Sequence, residues 1–264
     1  MNENILNERT MKKNILNAGR SRLKLGFTLV EVLVILLIVA SLAVVSTLAV
    51  NSAIDAARKS KSATNLRSLT NASLLYASDN DGRLPACIQA NYPFAYVAPD
   101  PHNPRSQKNG SFNAMAQYLG EKDYAVFCNP ALLARLKCTP EESLFTEKGY
   151  WGASYWYFGG NPKGYYNADP TIGTPIWEGS PERLNSAGRF LLIGDLSYHE
   201  GSTVSLPMRP GCHVKKDKDG KLVTIGGNWA FLDGSVQWFS RTELTVEQYC
   251  GGQRLLRPDV TKLR

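Results

Sequence analysis

Apolar positions along this chain fall into two regimes. From Phe27 to Val50 they run almost unbroken, FTLVEVLVILLIVASLAVVSTLAV, 24 residues with a single charge at Glu31. Beyond Val50 they space out: Ile54, Ala57, Leu66, Leu69 and Tyr76 recur at roughly helical intervals, with Arg58, Lys59, Lys61 and Arg67 between them. No glycine or proline occurs from Phe27 through Asp81, so one helix is predicted over this 55-residue stretch. At 1.5 Å per residue its first half spans about 36 Å, enough for a hydrocarbon core of about 30 Å. The apolar stripe of the second half suits packing on a domain. Asp79-Asn80-Asp81-Gly82-Arg83-Leu84-Pro85 then supplies turn residues and a proline to end it.

The remainder, residues 82–264, reads as a single α+β head with a modest antiparallel sheet and long loops. Ser111–Leu119 is predicted as a short capped helix closed by Gly120. Tyr124–Cys128 and the apolar run Phe190–Asp195 are predicted as strands. Lys221–Ile225 and Trp229–Phe239 read as a hairpin pair or adjacent strands, with Asp233-Gly234 a turn signal inside the second run. Residues 149–181 hold seven Gly and four Pro and are predicted as loops.

Charge sharpens this division. The formal net charge is +7, but residues 1–26 hold six Lys and Arg against two acids. The other 238 residues carry only +3, which is no footprint for nucleic-acid binding. A basic stretch before an apolar span places the N-terminus on the cytoplasmic side and sends the rest outward. Three fates are open to such a segment: an ordinary secretory signal cut near Ser41-Leu42-Ala43, an uncleaved anchor, or a cut after Gly26. Only the third gives Glu31 a partner. A carboxylate in a membrane helix is costly unless paired, and a new amine on Phe27 would pair it.

Leu25-Gly26-Phe27-Thr28-Leu29-Val30-Glu31-Val32-Leu33-Val34 resembles the cleavage and methylation motif of type IV prepilins and type II secretion pseudopilins. The motif is glycine, a large apolar residue, a short apolar run, glutamate and an apolar helix. The resemblance implies a bacterial inner-membrane protein cut between Gly26 and Phe27 by a prepilin peptidase, which also N-methylates Phe27. It implies that Glu31 sets register among pilin or pseudopilin subunits during filament assembly. The domains expected are a cleaved leader over 1–26, a transmembrane helix over 27–50, an amphipathic extension over 51–81 and an exported head over 82–264. Met11, before Lys12-Lys13, is an alternative start that leaves a 16-residue leader.

The head also resembles a subgroup of prepilin-like proteins marked by a histidine, nine residues, then Asp-Gly. The matching piece is Gly226-Gly227-Asn228-Trp229-Ala230-Phe231-Leu232-Asp233-Gly234-Ser235-Val236, with Phe127-Cys128-Asn129-Pro130 and Ser154-Tyr155-Trp156-Tyr157 upstream. The position ten before Asp233 is Val223 rather than histidine. His213 fits only if an insertion of about ten residues lies within Lys215–Ile225.

Candidate chemistry in the head is sparse. The three histidines, His102, His199 and His213, have no ligand spacing with another His or Cys, and no Gly-x-Ser-x-Gly appears near Asp195 and His199. Asp79-Asn80-Asp81-Gly82 and Asp217-Lys218-Asp219-Gly220 suggest calcium turns. Both fail the EF-hand test, since the twelfth position is Ile88 or Gly226, so solvated turns are expected and no cofactor, with a calcium site outside the EF-hand pattern as the alternative. Five cysteines (Cys87, Cys128, Cys138, Cys212, Cys250) follow the membrane segment, where disulfides persist. Cys128–Cys138 and Cys212–Cys250 are candidate bridges, with buried free thiols the alternative. Eight aromatics within residues 150–166 make either a core strand pair or a partner-binding platform.

The sequence therefore predicts a non-enzymatic pseudopilin-like filament subunit. Two rivals remain: a secreted or membrane-anchored module binding carbohydrate or protein, and a hydrolase built on Asp195, His199 or Asp233.

Overall fold

The computed structural model describes residues 26–86, 95–96, 111–120, 124–145, 155–160, 181, 183–186, 190–198, 211–248 and 254–259. Leader residues 1–25, Cys87, Cys250, His102, His199 and the aromatics Tyr150, Trp151, Tyr165 and Tyr166 lie outside them. The chain divides into two compact units, Met1–Ser52 and Ala53–Arg264.

In the first unit the described residues form the start of helix α1, Leu29–Asp79, 51 residues long. Its large apolar side chains here are exposed, from 45% at Val32 to 82% at Leu29. By length and composition this helix can cross a membrane.

In the second unit α1 changes character. Ser62, Asn65, Leu66, Leu69, Thr70, Ala72, Ser73 and Ala77 are buried, a stripe at three- and four-residue spacing. The predicted stripe is displaced: Leu66 and Leu69 are fully buried, whereas Ile54 is 40% exposed. The helix stops where turn residues were expected. Asp81 and Gly82 adopt φ of 54° and 76°, and the Gly82 N–H donates to Ala77 O at 2.7 Å.

A five-stranded antiparallel sheet follows, ordered β1-β2-β3-β6-β7. The strands are β1 (Ala95–Tyr96), β2 (Tyr155–Tyr157), β3 (Leu191–Asp195), β6 (Gly226–Phe231) and β7 (Val236–Ser240). Strand alternation sorts the rings. Tyr155, Tyr157 and Ala230 join Leu66, Leu69 and Ala72 of α1 in one core, while Trp156, Phe158, Trp229, Phe231 and Phe239 build a second. The four described aromatics of the dense segment, Tyr155 to Phe158, are therefore core. Gly194 is the small residue that lets Trp229 lie across β3, since a Cβ there would stand 2.2 Å from the indole.

The β6–β7 hairpin turns at Asp233-Gly234 as predicted, with Gly234 at φ 83°. Two expectations need correction. Tyr124–Phe127 is a 3-10 helix, not a strand. The run at Leu222–Thr224 (β5) pairs with β4 (Val214–Lys216), leaving the main sheet alone. Short helices α2 (Ser111–Ala116), α3 (Pro130–Leu136) and α4 (Pro140–Phe145) flank the sheet elements in sequence, and β8 (Leu244–Gln248) pairs with β9 (Arg254–Pro258).

Candidate functional site

Two sites merit description: the segment before α1, and a buried polar hub in the head. Gly26 and Phe27 are exposed, and among the described residues nothing lies within 4 Å of where a Cβ on Gly26 would stand. Packing therefore does not require glycine at that position. Thr28 and Glu31 form a reciprocal cap on α1. The Thr28 N–H and hydroxyl donate to the Glu31 carboxylate at 2.7 and 2.9 Å, and the Glu31 N–H donates back to Thr28 Oγ1 at 3.2 Å. Glu31 thus has a partner before any processing. The spacing Thr-x-x-Glu is the sequence signal for it.

The hub is built on Asp195, the last residue of β3. Its Oδ1 accepts from Ser62 Oγ at 2.6 Å and Asn129 Nδ2 at 2.7 Å. Its Oδ2 accepts from the Asn228 N–H at 2.6 Å and Nδ2 at 3.1 Å, and stands 3.0 Å from His213 Nε2. Every residue of this set is buried. Burial alone would raise the Asp195 carboxyl. His213 and the donors from Ser62 and Asn228 outweigh it and hold the group below its ordinary value.

Each partner does a second task. Asn129 caps α3, its Oδ1 accepting from the Ala131 N–H at 2.8 Å while its amide reaches Asp195. Asn228 Nδ2 also donates to Lys59 O of α1 at 3.1 Å. Asn65 adds bonds from α1 to Cys128 O at 3.0 Å and Tyr155 OH at 3.3 Å. The hub therefore ties α1, α3, β3, β6 and the segment before β4 together. The Ser62 hydroxyl donates to the carboxylate and is fully buried. The sequence pairs Asp195 with His199, which lies outside the described residues; among the described residues the histidine that reaches Asp195 is His213.

His213 and Asp233 do not meet. His213 is buried, whereas Asp233 is exposed in the hairpin turn, where its Oδ1 accepts from the Ser235 N–H at 2.8 Å. Between His213 and β6 the β4–β5 hairpin leaves and returns to one point, since the Ile225 N–H donates to His213 O at 3.0 Å. That hairpin occupies the stretch where an insertion of about ten residues was required.

Asp217 folds over its own turn, accepting from the Asp219 and Lys221 N–H groups at 2.9 Å each. Among the described residues no group of three or more His, Cys, Asp or Glu side chains is arranged to hold a metal. Cys128, Cys138 and Cys212 form no disulfide among the described residues, so the Cys128–Cys138 bridge is not formed, and Cys250 lies outside the described residues. Burial raises the Cys128 and Cys138 thiols, against a downward pull from the Ser143 hydroxyl. Burial pushes the Cys128 thiol up to about 12 and raises Cys212 well above its ordinary value.

Comparison with known proteins finds no matching family model, curated protein or solved structure.

Proposed function

We propose that this chain is a pseudopilin-like structural subunit, cut between Gly26 and Phe27 and assembled through α1 into a type II secretion or type IV pilus-like filament. The observation that carries the reading is Gly26: packing does not require it, and it stands directly before a helix whose first half leaves its large apolar side chains exposed. Such a surface needs cover, first from lipid and then from the apolar helices of neighbouring subunits. The inner membrane, a prepilin peptidase and other subunits are then the partners, with the head on the outer side. In the filament, Glu31 exchanges its local cap for the amine of Phe27 on an adjacent subunit. The sealed hub supports a structural head over a hydrolase, because Asp195 is committed to five contacts. The His213-to-Asp233 spacing fits the histidine–Asp-Gly subgroup once the β4–β5 excursion is discounted.

Mass spectrometry of the membrane-extracted protein tests the pathway. A mature chain beginning at N-methylated Phe27 is expected. A chain beginning beyond Ala43, or one keeping its leader, overturns it.

A further inference from the structure

A cleft of about 430 Å³ opens in the head beside the hub, and every residue lining it belongs to the second unit. Among the described residues its charge is unbalanced: Arg58, Lys59 and Arg135 line it against one exposed acid, Asp55, which is already 3.3 Å from Arg58. The Lys59 ammonium is held 3.5 Å over the Trp238 ring and forms no ion pair or side-chain hydrogen bond among the described residues. Burial lowers its affinity for a proton, the signature of a cation partly stripped of water. Trp238 is itself held edge-on by the His213 ring at 5.1 Å. Arg135 is fixed by donating from Nη2 to Gly211 O at 2.7 Å.

The remaining wall is apolar. Ala56, Ala134, Val214, Leu222 and Ile225 line it, and the last two are each 36% exposed. A cleft that sets partly desolvated cations against an aliphatic wall selects a small anion with an apolar body. The planar guanidinium of Arg135 and the point-charge ammonium of Lys59, both on the cleft wall, suit the two oxygens of a carboxylate. We infer that this cleft is a binding site for a carboxylate carried on a short aliphatic stem, with Lys59 and Arg135 holding the charge and the β4–β5 hairpin covering the stem. Such a group belongs either to a free short-chain acid or to a glutamyl side chain of another protein. The site does not depend on whether the chain is processed or assembled.

Saturation-transfer NMR on the detergent-solubilised full chain tests this with butyrate, N-acetyl-glutamate amide, N-acetyl-glutamine amide, butyramide and inorganic phosphate as probes. Saturable binding of butyrate or of the blocked glutamate is expected, weakened at least tenfold by Lys59→Gln and preserved by Lys59→Arg. Both variants should unfold at the wild-type temperature, since Lys59 is only partly buried. Tighter binding of the blocked glutamate assigns the site to a protein side chain, and tighter binding of butyrate assigns it to a free acid. Binding that ignores Lys59→Gln overturns the inference, as does equal binding of the neutral amides or stronger binding of phosphate than of either carboxylate. Absence of saturable binding by both carboxylates overturns it equally.

Discussion

At Glu31 one carboxylate serves the start of α1 through Thr28 and, in the proposed filament, the amine of a neighbour. Two substitutions separate these roles. Glu31→Gln keeps a side chain able to close the cap but removes the charge, whereas Glu31→Ala removes both. Insertion of both variants into the membrane is expected, with filament incorporation lost in both. Normal incorporation of Glu31→Gln, measured by shear fractionation, would leave the cap as the sole function of this residue. At Asp195 the stake is stability. Its carboxyl is buried and lies below its ordinary 3.8, so the folded state holds a proton more weakly than the unfolded chain. The stabilisation is complete above about pH 4 and is lost as pH falls through the folded value. Asp195→Asn removes one partner of a buried pair and should cost about 3–5 kcal/mol. Its denaturant midpoint should also lose the acid dependence below about pH 4. The thiols give a third test. Alkylation at pH 8 in the folded state should reach half-exposed Cys138, and should reach Cys128 and Cys212 only after denaturation.

Among the elements, the long helix was legible because an absence determines it: nothing from Phe27 to Asp81 breaks a helix. Strand β3 and the β6–β7 turn were legible for the opposite reason, a dense apolar run and an Asp-Gly pair. Of the short helices α2 was legible from its capped run, whereas α3 and α4 were missed although their starts are written plainly. Asn129-Pro130 is a cap followed by proline, and Thr139 and Glu142 repeat the reciprocal cap of Thr28 and Glu31, as do Ser240 and Glu243. Tyr124–Phe127 misled because its apolar run, four residues in a 3-10 turn, carries no period long enough to tell a turn from a strand. The hub was illegible because its members run from Ser62 to Asn228, and only tertiary packing makes Ser62 and Asn65 polar members of an otherwise apolar stripe. Leu69→Ala in that stripe should cost about 2–5 kcal/mol in chemical denaturation. Removal of residues 214–223 restores a nine-residue spacing between His213 and Asp233 while keeping the buried Thr224. The shortened chain should still unfold cooperatively, with its midpoint down by no more than about 5 °C.

For the molecule as a whole, the division at Ser52 and Ala53 sets solution behaviour. A chain beginning at Ala53 retains both cores and should be soluble without detergent, whereas the full chain should stay with membranes through a carbonate wash. Loss of cooperative unfolding in the shorter chain would show that the first unit is needed for the fold. The hub has a mechanical side as well. Tension applied along α1 enters the head through side chains of that same helix, chiefly Ser62, Asn65 and the buried leucines, rather than through a terminal linker. Hydrogen bonds and packing spread over several turns then break together rather than one after another. A head held in this way resists pulling by its own helix, and it would be released under force only when its core fails with it.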